Sequence, residues 1–201
     1  MTIYMPASPG FTACRFGLET NTQKWESPLT KNVQRVLLGG GRWMATYTLP
    51  RMNRSDAAYW QAFLMQLEGG VNTFYGFDPD ARNPRGVATG TPLVKGASQT
   101  GSTLLIDGCT ANVTGWLMPG DYFACNGQMH MITTRADTNG SGETTLNFKA
   151  AMRNSPADNA VVTVRDTTCT MILTDDNQTV WQTGTRLGIY EGMSFSGVEV
   201  F

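Results

Sequence analysis

The chain has 201 residues, a size for one large domain or two small ones, with 15 basic and 16 acidic side chains, one histidine and four cysteines. Its charged share of 15% lies well below the ~25% of an average soluble domain. A net charge of −1 supplies no field toward phosphate backbones or anionic lipid, so nucleic-acid specificity and membrane insertion are not expected. Aromatics reach 10%, which argues against disorder and leaves a surface of Thr, Asn, Ser and Gly suited to packing on other protein. No basic, apolar leader opens the chain and no run approaches ~18 apolar residues, so neither signal export nor a membrane-spanning helix is expected.

In chain order, Val33 to Leu38 and Arg42 to Leu49 read as two strands. Trp43, Ala45, Tyr47 and Leu49 alternate with Met44, Thr46 and Thr48, and Gly39 to Gly41 supply a loose hairpin turn between the two. A helix follows over 54–68. Ala57, Trp60, Phe63, Leu64 and Leu67 form its apolar stripe, Asn53 caps its start, Asp56 sits in its first turn, and Gly69 with Gly70 ends it. Val71 to Phe77 is a further strand, and the proline- and glycine-rich stretch from Asp78 to Pro92 is a loop that marks a boundary.

Residues 93–165 read as a compact all-β unit. Thr103 to Asp107 is a strand, Pro119–Gly120–Asp121 a turn, and Asn126–Gly127 the strongest hairpin signal in the chain. A tight turn there pairs Cys125 with Gln128, Ala124 with Met129, Phe123 with His130 and Tyr122 with Met131. Tyr122, Ala124, Met129 and Met131 are then expected to face the core, and Phe123, Cys125, Gln128 and His130 the more polar side. Thr144 to Phe148 and Val161 to Val164 complete five or six strands. Thr168 to Leu173 and Thr179 to Thr183 read as a second hairpin around Asp175 to Gln178, followed by strands at Leu187 to Tyr190 and Met193 to Phe201. A few strands at each end bury too little alone. The economical arrangement is a mainly β fold in which 1–92 and 166–201 build one β-sandwich carrying the helix, with 93–165 inserted as a small β-barrel or sandwich.

Candidate chemistry is sparse. Cys14, Cys109, Cys125 and Cys169 match no CxxC or Cys/His spacing and read as core residues; a metal cluster would need all four to converge. His130 would have to serve any nucleophile system, with Cys125 or Asp121 as its partner, and reads instead as a solvated or partly packed strand residue. Asp78, Asp80 and Asn83 suggest a turn rather than a calcium loop. Asp175 and Asp176 are adjacent on a turn and cannot flank a substrate as a glycosidase pair does. Gly39 to Gly41 before Arg42 lacks the lysine and helix of a phosphate loop. Trp116 and Trp181 are the one possible sugar platform, set against the commoner core role of tryptophan. No catalytic, cofactor-binding or metal-ligating residue is therefore assigned, and no enzymatic activity is expected.

The run GGGRWMATYTLPRMNRSDAAYWQAFLMQLEGGVNTFYGFDPDARNPRG over 39–86 resembles minor tail proteins of long non-contractile-tailed bacteriophages, in the group similar to distal tail proteins. The similarity continues in GTPLVKGASQTGSTL, in PGDYFACNGQMHMI, in the Ser155 to Asp158 turn, and in Gly192 to Phe195 with Glu199. The resemblance implies a tail-tube-like β-sandwich with one helix that assembles into a ring, commonly hexameric. It further implies a place at the virion tail tip after synthesis in the host cytoplasm, with the tail tube protein, the baseplate hub and the tape measure protein as partners. The domain at 93–165 corresponds to an added barrel; its alternative role is that of a carbohydrate-binding accessory module contacting host surface glycan. Lateral contacts are expected at the edge strands, with Arg42 to Leu49 and Met193 to Phe201 as candidates.

Overall fold

A computed structural model describes residues 1–183 and 188–201. Its elements are β1 (Thr2–Ile3), β2 (Ala13–Glu26), β3 (Val33–Thr48), β4 (Met52–Asn53), α1 (Arg54–Gln66), β5 (Thr73–Gly76), β6 (Gly90–Val94) and β7 (Gly101–Cys109). They continue with β8 (Tyr122–Cys125), β9 (Gln128–Ile132), β10 (Thr144–Met152), β11 (Val162–Thr163), β12 (Cys169–Leu173), β13 (Ile189–Tyr190) and β14 (Ser194–Glu199). The fold is mainly β, with one α-helix among the described residues. Six strands form a sheet in the order β1-β5-β12-β14-β3-β2, six more form a nearly closed barrel-like sheet in the order β11-β8-β9-β10-β7-β6, and β13 pairs with β4.

In the first sheet, β12 and β14 from the end of the chain lie between β5 and β3 from its beginning. Phe195 opposes Tyr47 and Gly197 opposes Ala45, while Met171 opposes Phe74 on the other flank. Alternate residues therefore stack on one face: Phe16 and Leu18, Trp43 and Tyr47, Phe195, Met171 and Phe74. The stripe of α1 lies on that face, with Ala57, Trp60, Phe63, Leu64 and Leu67 all buried. Trp60, Phe63, Phe74 and Phe195 form an aromatic cluster with ring centroids 5.9–6.0 Å apart. Asn53 caps the helix, its Oδ1 accepting from the Asp56 amide at 2.9 Å. At the other end Leu67 is the last residue before Glu68 and Gly69 turn left-handed. Gly197 sits where the ring of Phe74 crosses β14 and leaves no room for a Cβ.

The structure corrects four expectations about the strands. Gly39 to Gly41 do not turn the chain: β3 runs through them, and its hairpin partner is β2, across a turn at Ser27 to Asn32. Arg42 to Leu49 and Met193 to Phe201 are not edges, because β3 lies between β2 and β14, and β14 between β12 and β3. Thr168 to Leu173 and Thr179 to Thr183 do not pair as a hairpin. Asp176–Thr179 is a 3₁₀ turn capped by Asp175, and β12 takes its partners from β5 and β14 instead. Of the strand expected at Leu187 to Tyr190, Leu187 lies outside the described residues and Ile189–Tyr190 is β13.

The fourth correction concerns the β8–β9 hairpin. Its register is the expected one, from Cys125 opposite Gln128 to Tyr122 opposite Met131, with Asn126 and Gly127 both at positive φ. Its faces are reversed. Phe123, Cys125 and Ile132 fill the barrel interior with Leu104, Ile106, Trp116, Leu146 and Phe148. Tyr122 and Met129 instead join the core of the first sheet. The hairpin is buried on both sides, so apolar alternation does not report which side is the barrel's own core.

Candidate assembly surface

The β2–β3 hairpin continues past the sheet as a two-stranded arm. Beyond the Glu19–Arg42 pair the ladder resumes at Asn21 opposite Leu38 and runs to Glu26 opposite Val33. At ~3.4 Å per residue these further pairs carry it roughly 20 Å outward. The register break places Gly39 to Gly41 opposite the single residue Thr20, a bulge in which Gly40 takes φ +92°, open to glycine and strained for other residues. The tip closes with Ser27 N–H donating to the Asn32 carbonyl at 2.9 Å and Lys31 N–H to the Ser27 carbonyl at 3.0 Å.

Residues opposite one another share a face, which gives the arm two unlike sides. One carries Asn21, Gln23, Trp25, Gln34, Val36 and Leu38, and no charge; the other carries Thr22, Lys24, Glu26, Val33, Arg35 and Leu37. On the uncharged side Trp25 is 60%, Val36 56% and Leu38 42% exposed. A free two-stranded ribbon is marginal in water, and one that displays Trp, Val and Leu on a single face is suited to being covered. Among the described residues no strand lies beyond β2 in the sheet, so its outer edge also presents unpaired main-chain donors and acceptors.

The arm's root is held by contacts that join the two sheets. Arg153 follows β10, and its Nη2 donates to the Gly41 carbonyl at 2.6 Å and to Glu199 Oε2 at 2.9 Å. Glu199, 4% exposed, also accepts from the Trp43 amide at 3.0 Å. The Arg153 guanidinium lies 3.3 Å from the centroid of the Phe201 ring, and the Trp43 indole N–H donates to the Met129 carbonyl at 2.8 Å. Phe16, Trp43 and Tyr122 pack ring against ring across the same seam. The bulge is thereby fixed to β14 and to the barrel-like sheet.

Of the residues weighed for chemistry, Gly39 to Gly41 and Arg42 form the arm's root, and the others sit in structural surroundings of their own. His130 is 2% exposed, packed against Phe123 and Phe148, and not on a solvated face. Its Nδ1 donates to the Ala150 carbonyl at 2.7 Å and its buried Nε2 has no partner. Burial pushes its pKa from 6.5 down to about 4, the Ala150 bond opposing and the Arg153 charge adding to the fall. Asp121 is buried, its carboxylate accepting from the amides of Arg85, Gly86 and Met118 at 2.8–3.0 Å. Burial raises the thiol pKa values of all four cysteines, Cys14 to about 11 and Cys109 to about 12, so all are thiols at neutral pH. Trp116 is fully buried with its N–H on the Thr89 carbonyl and offers no ring face to a sugar, whereas Trp181 is partly exposed. Asp78 accepts from the Asp80 amide and the Tyr122 hydroxyl as part of a turn, and Asn83 accepts from Arg165.

β2 is a strand for which no expectation was stated, and its signal is the alternation of Cys14, Phe16 and Leu18, as in a half-buried strand. The link from Arg153 to Glu199 joins residues 46 positions apart and leaves no local signal. Among the described residues no three His, Cys, Asp or Glu side chains are grouped to hold a metal ion, and no helix is long and apolar enough to cross a membrane. The chain matches no protein-family model and no curated protein.

Proposed function

We propose that this chain is a structural protein of a bacteriophage tail tip, forming a ring that joins the tail tube to the baseplate hub. The observation that carries the reading is the arm: an exposed ribbon with one uncharged face, rooted in the sheet that unites both ends of the chain. A ring subunit needs two complementary lateral surfaces. The free edge of β2 and the uncharged arm face supply one side of such a contact, replacing Arg42 to Leu49 and Met193 to Phe201, whose main chains are already paired. The low charge and high aromatic content fit a surface largely covered on assembly. The ring order, taken as six, and the tail tube, hub and tape measure proteins as neighbours follow from the resemblance over 39–86.

Gold-labelled antibody against the arm's charged face, applied to phage tails that contain this chain, tests the assignment. Label confined to the end of the tail distal to the capsid is the expected result. Complete, infectious particles assembled without the chain would contradict it.

A further inference from the structure

We propose that the groove between the N-terminal segment and the β5 end of the first sheet binds a neutral hexose-type sugar. This inference is independent of the ring assignment, because the groove is complete within one chain. It encloses about 390 Å³, within the ~300–1,000 Å³ usual for small-molecule sites. Its aromatic wall is made by Tyr4 and Tyr75, with ring centroids 4.7 Å apart and planes at 38°, and Phe77 lies beside them. Tyr4 is 77% exposed, so its ring is not a core residue that merely reaches the surface.

The polar wall is an ion pair. Arg82 Nε and Nη2 each lie 2.7 Å from Asp166 Oδ1, and the guanidinium covers the Phe77 ring at 5.1 Å from its centroid. The pair carries no net charge, so the groove does not select an anion or a cation. Among the described residues Arg82 Nη1, Asp166 Oδ2 and the hydroxyls of Tyr4, Tyr75 and Thr168 have no hydrogen-bond partner in the fold. The site therefore combines flat aromatic surface with both donors and acceptors. A pyranose ring matches that combination, because its C–H face packs on an aromatic ring while each hydroxyl both donates and accepts. A proline-rich peptide matches the rings and, through its carbonyls, the donors, but proline has no amide hydrogen to give Asp166.

Saturation-transfer NMR on the full chain tests the site, using the methyl glycosides of glucose, galactose, mannose and N-acetylglucosamine at up to ~10 mM. At least one should receive transfer at its ring C–H protons with half-saturation near ~1 mM. Tyr4→Ala and Asp166→Asn should each weaken that binding about tenfold or more. The Tyr4 ring is largely exposed, so Tyr4→Ala should keep the wild-type unfolding midpoint and report on binding alone. Transfer to none of the four sugars, or transfer that survives both substitutions, would overturn the proposal. A hexaproline peptide that shifts the Tyr4 and Tyr75 resonances more strongly than any of the sugars would overturn it too.

Discussion

His130 shows how one buried side chain ties the barrel-like sheet to pH. Only the neutral ring fits between Phe123 and Phe148 with Nε2 unpartnered, so the folded chain resists protonation and its pKa falls to about 4. The unfolded chain takes up a proton near 6.5. Stability is therefore full above pH 6.5 and declines as pH falls through the interval from 6.5 to about 4, a loss of about 3 kcal/mol in all. Urea midpoints measured across that interval should fall for the wild-type chain and fall less for His130→Phe, which has no proton to take up. Arg153 makes the complementary case. Arg153→Ala leaves the Glu199 carboxylate buried with the Trp43 amide as its remaining donor, and should cost about 3 kcal/mol in chemical denaturation. Replacing both partners with methionine should cost less than that single substitution, since no unpaired charge remains.

At the scale of elements, the helix and the β8–β9 hairpin were the parts most open to sequence reasoning, because local rules govern them. Asn53, the Trp60 stripe and Gly69 act within a few residues of one another, and Asn126–Gly127 sets its own register. The face of that hairpin was not readable, since Tyr122 and Phe123 are both buried against different cores. Gly39 to Gly41 misled for a related reason: glycines that end a strand and glycines that bulge one look alike until the partner strand is known. That partner, β2, also carries the arm. Changing Trp25 and Val36 to lysine places charge on the uncharged face without touching the core, so the unfolding free energy should stay within about 0.5 kcal/mol of wild type. If that face is the lateral contact, the same double substitution should abolish self-association in analytical ultracentrifugation. In β14, by contrast, Gly197→Ala sets a methyl against the Phe74 ring and should destabilise by roughly 1–3 kcal/mol.

For the molecule as a whole, strand counting raises the expectation that the two ends of the chain share a sheet; in the first sheet β12 and β14 lie between β5 and β3. It could not anticipate how the two sheets meet, because that seam depends on Trp43, Tyr122, Arg153 and Glu199, drawn from distant parts of the chain. The consequence for function is geometric. With the bulge gripped by Arg153, the arm is presented in a set direction from a braced body, as a repeating ring contact requires. Cryo-electron microscopy of the concentrated, purified protein tests this most directly. The account predicts closed rings with the arm of each subunit lying against its neighbour; monomers at every concentration, or rings whose arms project free into solvent, would contradict it.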